Sequence, residues 1–137
     1  MFRKSLIVLC LFGFIPVAFA ADSPASGKVV AYYFHGTARC PTCHKLEQYS
    51  KETIEKDFKD ALSSGQLEFK VVNVEDKGNE HFVNDYQLYT KALVLSFIKD
   101  GKEVKSKNLT EIWTLVGNKQ KFSEYVHNEV EDFIKGK

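Results

Sequence analysis

The feature that most constrains this chain is the placing of Cys40-Pro41-Thr42-Cys43 between a continuous apolar run and an amphipathic one. Val29-Val30-Ala31-Tyr32-Tyr33-Phe34 has strand length and no polar alternation, the pattern of a strand buried on both faces. Gly36-Thr37-Ala38-Arg39 then turns the chain toward the cysteines, and Pro41 suits the first turn of a helix, where a missing N–H costs little. Beyond it Leu46, Tyr49, Thr53, Ile54, Phe58, Ala61 and Leu62 recur mostly at spacings of three and four with charges between them. That predicts an amphipathic helix, continuous or broken midway, ending near Gly65. Two cysteines at such a strand-to-helix junction can close a small disulfide and reopen it, because the helix N-terminus favours a thiolate on the first sulfur.

The rest of the chain reads as further elements of one domain. Leu67, Phe69, Val71, with Val72 and Val74 as extensions, predict a second strand. A polar loop at Glu75 to Gly78 leads to a shorter helix carrying Phe82, Val83, Tyr86 and Leu88. Ala92 to Ile98 predicts a third strand, Asp100-Gly101 a tight hairpin turn, and Glu103 to Lys107 a returning edge strand whose lysines protect the edge. Leu109 to Val116, with Trp113, is open between strand, helical turn and packed loop. Phe122, Tyr125, Val126, Val130, Phe133 and Ile134 share one face of a final helix. A strand-helix-strand unit followed by a hairpin implies an α/β fold with a mixed sheet flanked by helices, in the order β-α-β-α-β-β-α.

Composition bears on compartment and partner. Arg3 and Lys4, an apolar stretch from Leu6 to Phe19 and small residues at Ala18 and Ala20 have the form of a secretory leader, residues 1–20, with cleavage after Ala20. The stretch is short for a spanning helix and holds Gly13 and Pro16, so cleavage is expected over retention as an anchor. Residues 21–28 then form a tether and 29–137 the domain, in a periplasmic setting with no membrane insertion after cleavage. Loss of Arg3 and Lys4 takes the basic count from 19 to 17 against 18 acids, so the mature charge is −1. That disfavours nucleic acid and anionic membrane as partners. Cys10 leaves with the leader, so the mature chain keeps two cysteines, too few for a disulfide scaffold and better explained by reactivity.

His44 complicates the reading, because Cys40 to His44 also spells C-x-x-C-H, the pattern of covalent haem attachment. Haem would need a pocket and often a second axial ligand; Met1 leaves with the leader, and His35, His81 and His127 are the remaining candidates. A metal site needs three or four ligands, for which two cysteines and scattered histidines are a weak pattern. The strand-to-helix context favours redox thiols. A haem- or metal-binding module built on Cys40, Cys43 and His44 is the alternative, and an inert structural disulfide a third. His44 also fits an ordinary helix surface.

The element order, with C-x-x-C between the first strand and first long helix, resembles the thioredoxin fold over about Val29 to Ile134. The segment FHGTARCPTCHKLE, Phe34 to Glu47, also resembles a periplasmic thioredoxin-like group carrying the ArsF label. The resemblance implies a monomeric thiol–disulfide oxidoreductase or electron-transfer protein without organic cofactor or metal. Cys40 would be its nucleophile and Cys43 its resolving thiol, with Arg39, Pro41, Thr42 and His44 tuning the site. It also implies a protein thiol or disulfide partner and, if electrons flow outward, a membrane electron donor. Three departures stand out. Arg39 replaces the tryptophan that often precedes the first cysteine, supplying a cation beside Cys40 unless it is simply solvated. Phe34 occupies the place of a buried acid, so proton transfer at Cys43 needs water or another group. The mature chain holds only Pro24 and Pro41, so the cis-proline of the substrate loop is absent and Ala92 or Leu93 takes its place.

Overall fold

The computed structural model describes residues 27–136; the expected leader and residues 21–26 of the tether lie outside the described residues. The strands are β1 (Lys28–His35), β2 (Leu67–Asn73), β3 (Ala92–Lys99) and β4 (Lys102–Asn108). The helices are α1 (Pro41–Asp57), α2 (Lys59–Ser64), α3 (His81–Asp85), α4 (Ile112–Leu115) and α5 (Lys119–Ile134). The sheet runs β2-β1-β3-β4, with β1 parallel to β2 and antiparallel to β3, and β3 antiparallel to β4. This is the α/β architecture, with its four-stranded mixed sheet, that the sequence implies.

Strand parity divides the interior into two layers, because successive side chains of a strand point to opposite faces. Val29, Ala31 and Tyr33 of β1 join Leu93 and Leu95 of β3 under Leu46 and Ile54 of α1 and Phe122, Val126 and Val130 of α5. Phe34, Ala92 and Val94 form the second layer with Leu88, and Tyr32, Phe82 and Tyr86 pack on them. Together the layers bury β1 on both faces, as its unbroken apolar run requires. β2 is an edge strand with one fully buried residue, Leu67, and Val71 is exposed.

The long helical run breaks at Phe58, which leaves helical geometry (φ −123°, ψ 35°) and packs its ring, tilted, 5.0 Å from that of His127 of α5. α2 then closes at Gly65 in the left-handed conformation, φ +78°, which glycine adopts without steric cost. Asp100 and Gly101 have φ values of +52° and +74°, the two left-handed positions of the predicted hairpin turn. The undecided stretch 109–116 resolves as a turn entering α4. α1 and α5 bury a polar bridge between them: Thr53 Oγ1 donates to Tyr49 O at 2.8 Å and lies 2.9 Å from Ser123 Oγ. Such partners remove most of the cost of burying a hydroxyl.

Candidate functional site

Cys40 is the N-cap of α1, with extended backbone (φ −93°, ψ 164°), and Pro41 follows in the first turn. Its Sγ accepts the Cys43 N–H at 3.2 Å, filling the capping role usually taken by a side-chain oxygen. The two cysteines are joined, Cα to Cα 5.0 Å. Cys40 is exposed, whereas Cys43 is 1 % exposed. No acidic residue lies in the first turn of α1 to oppose negative charge there. A sulfur at this position therefore meets the positive end of the helix dipole, which favours its thiolate. Thr42 is half-buried and His44 exposed on the same turn.

Beneath the disulfide the structure assembles polar groups that sequence patterning assigns elsewhere. Tyr33, fully buried on the α1 side of β1, donates from its hydroxyl to the Cys43 carbonyl at 2.7 Å. Burial pushes its phenol up to about 12; Arg39 opposes that rise and Glu47 adds to it, so the ring senses both charges. Arg39 is not a solvated surface residue: its Nη2 bonds Glu47 Oε2, and the two side chains are 20 % and 25 % exposed. Arg39 Nε is buried with no acceptor among the described residues. Phe34, which takes the place of a buried acid, lies in the opposite layer, 5.0 Å from the Phe82 ring. Neither Tyr33 nor Glu47 was marked by its pattern: Tyr33 reads as core, and Glu47 as one of many charges on a helix. The one available signal was the spacing of Glu47 four residues after Cys43.

The loop entering the cysteines is clamped from the far end of β2. Glu75 Oε2 accepts the Thr37 N–H at 2.8 Å, and Asn73 Nδ2 donates to Thr37 Oγ1 at 3.2 Å. Hydrogen bonds from the Thr37 hydroxyl and N–H hold the Glu75 carboxyl below its ordinary range, with smaller help from Lys91 and His35. A Cβ at Gly36 would lie 2.8 Å from Glu75 Oε1, so a larger residue there displaces that carboxylate. His35 Nδ1 lies 2.8 Å from the Gly36 carbonyl, which places its proton on that nitrogen.

At the position expected for the substrate loop the chain is already entering β3. Ala92 and Leu93 are 4 % and 0 % exposed, in β3 and joined by trans peptides, so their side chains face the interior. The exposed part of the segment is Tyr89, at 93 %, and Thr90. Trp113 Nε1 donates to the Lys91 carbonyl at 2.9 Å, tying this segment to α4.

Among the described residues no three His, Cys, Asp or Glu side chains form a group that could hold a metal ion. His81 pairs with Asp85 at 2.7 Å and His127 with Asp57 at 3.0 Å, both away from the cysteines. The two cysteines are bonded to each other and His44 faces outward, an arrangement that does not favour the haem or metal alternative.

No protein-family model and no curated protein sequence matches the chain. Solved structures similar to it include thioredoxin of Fasciola hepatica, 23 % identical, covering 76 % of this chain and 83 % of that one, with a TM-score of 0.44. They also include thioredoxin O2 of Arabidopsis thaliana in its oxidised state, at 14 %, 70 %, 76 % and 0.42. A third is thioredoxin of Trypanosoma brucei brucei, at 13 %, 79 %, 80 % and 0.41. None of these carries the ArsF label, so that narrower resemblance rests on the segment Phe34 to Glu47 alone. The chain's own topology has the element order expected of a thioredoxin-like fold, with a Cys40–Cys43 disulfide opening its first helix.

Proposed function

We propose that the protein is an exported thiol–disulfide oxidoreductase that cycles Cys40 and Cys43 between dithiol and disulfide on a protein partner. The observation that carries the reading is the asymmetry of the pair: Cys40 exposed at a helix N-cap, Cys43 buried one turn in. An exposed, stabilised thiolate is built to attack, and a buried neighbour to resolve. In the reducing direction Cys40 thiolate attacks a partner disulfide, forming a Cys40–partner bond and releasing one partner thiolate. Cys43 thiolate then attacks Cys40, restoring the internal disulfide and releasing the second. Two electrons pass to the partner, and the reverse sequence oxidises a partner dithiol. Export rests on the leader-like start of the sequence, and a membrane electron donor is the added partner if the flow is reductive.

Cells expressing Cys43→Ser are expected to accumulate a mixed disulfide that dithiothreitol releases, while Cys40→Ser accumulates none. Intact mass after export is expected to show a chain beginning at Ala21 with two alkylatable thiols only after reduction. If neither variant captures a partner, and the disulfide resists a glutathione buffer at the poise of its compartment, the pair is structural and the proposal fails.

A further inference from the structure

Resolution of a mixed disulfide demands that the buried Cys43 thiol lose its proton, and burial in apolar surroundings resists that loss. The second layer supplies no base at the Phe34 position, since Phe34 and its neighbours Phe82 and Val94 are apolar and Tyr32 and Tyr86 pack there as phenols. On the α1 side the situation differs. Glu47 stands four residues after Cys43, so the two share a face of α1 with Cβ atoms about 5–6 Å apart. Its carboxylate is held by Arg39, in a setting partly shielded from solvent. Tyr33 braces the same turn through its bond to the Cys43 carbonyl.

We propose that Glu47 accepts the proton of Cys43 during resolution, while its pairing with Arg39 moderates the cation beside Cys40. This rests on the oxidoreductase reading above and assigns the group that the Phe34 position lacks. In the mixed disulfide, the Cys43 thiol passes its proton to the Glu47 carboxylate. The thiolate attacks Cys40 Sγ, the Cys40–Cys43 bond forms, the Cys40–partner bond breaks, and the partner leaves with that bond's electron pair as a thiolate. The proton on Glu47 then passes to the departing thiolate or to water. A carboxylate offers about four lone-pair sites, so one bond from Arg39 leaves capacity to accept a proton. Arg39 Nε, a buried donor without an acceptor among the described residues, belongs to the residue adjacent in sequence to the sulfur that becomes an acceptor when the disulfide opens.

Several other charges bear on Glu47. Arg39 faces it from the loop and Tyr33 from β1. Along α1, His44 and Lys51 flank it at three residues before and four after, and Lys51 is paired with Glu55 at 3.8 Å. From α5, packed on α1, Lys119 is paired with Glu52 and lies over the Tyr49 ring. Arg39 is thus the cation bonded to Glu47.

The two roles act on different sulfurs, which makes them separable. The reduced full chain is mixed with a dithio-bis(nitrobenzoate) disulfide in a stopped-flow instrument, and release of the coloured thiolate is followed. A first release reports attack by Cys40, and a second reports resolution by Cys43. In Glu47→Gln, which keeps the side-chain length and a hydrogen-bonding oxygen for Arg39, the first phase is expected to hold or quicken. The second is expected to slow about a hundredfold near neutral pH, the scale of general-base assistance. The deficit shrinks as pH rises and Cys43 ionises unaided, while Glu47→Asp recovers part of the rate. A second phase that keeps its wild-type rate and pH profile, or two phases that slow together, overturns the proposal while a working wild type leaves the oxidoreductase reading standing. A wild type that shows no second phase overturns both.

Discussion

Replacing Tyr33 by phenylalanine removes one oxygen from the floor of the site and should change stability in opposite directions at neutral and alkaline pH. The hydroxyl is fully buried and donates to the Cys43 carbonyl at 2.7 Å, so its loss costs about 1 kcal/mol near neutrality, the net value of such a bond. The alkaline limb follows from linkage. The folded phenol is pushed up to about 12 from its ordinary 10. Below pH 10 the phenol is protonated in both states, and its full stabilising contribution is present. Between 10 and 12 the unfolded chain gives up the proton and the folded one holds it, so stability falls as pH rises. At pH 11 that loss is about 1.4 kcal/mol, and by pH 12 it exceeds about 2. The wild-type advantage over Tyr33→Phe should therefore shrink from about 1 kcal/mol, vanish between about pH 10.5 and 11, and be reversed by pH 11.

Urea denaturation of the two oxidised proteins in parallel between pH 7 and 12 checks this. Taking the difference cancels Tyr86 and Tyr125, whose phenols are likewise raised by burial. A difference that stays constant across the range would refute the reasoning, since it would mean that Tyr33 ionises alike in the folded and unfolded chain.

Other outcomes follow from the same geometry. Leu46→Ala empties the contact between α1 and the first layer and should cost about 2–5 kcal/mol in urea denaturation. Gly36→Ala pushes the Glu75 carboxylate off Thr37, so the Glu75 titration midpoint, followed by NMR, should rise toward the ordinary carboxylate range. Trp113→Phe removes the donor to the Lys91 carbonyl and should speed proteolysis at the Tyr89–Lys91 segment with a stability loss of about 1 kcal/mol. The Asp100-Gly101 turn has a backbone requirement, so Gly101→Val, at φ +74°, should lower stability by about 1–2 kcal/mol.

Much of the fold was legible because it is written in local periodicity. The unbroken run Val29 to Phe34 could only be a strand covered on both faces, and it lies in the middle of the sheet. Asp100-Gly101 announced the hairpin, and the phase of Phe122, Val126 and Val130 announced the buried face of α5. Phe58 was less legible, because its apolar side chain suits a continuous helix as well as the break where it packs on His127. At Ala92 and Leu93 sequence and structure record different things. Correspondence along the chain marks a position, whereas entry into β3 determines that those side chains are buried.

The sequence by itself determined the order of elements and the placing of Cys40 and Cys43 at a helix start. Each depends on residues a few positions apart, within reach of helix and strand geometry. Only the tertiary structure decided what surrounds the sulfurs. Tyr33 reaches the Cys43 carbonyl because strand parity turns it toward α1, and the same parity turns Phe34 into the opposite layer. Arg39 meets Glu47 because the entering loop folds back on the second turn of the helix, and Glu75 meets Thr37 across 38 residues because β2 runs parallel beside β1. Those contacts depend on the relative phase of elements distant in the chain, which packing sets and local pattern does not record.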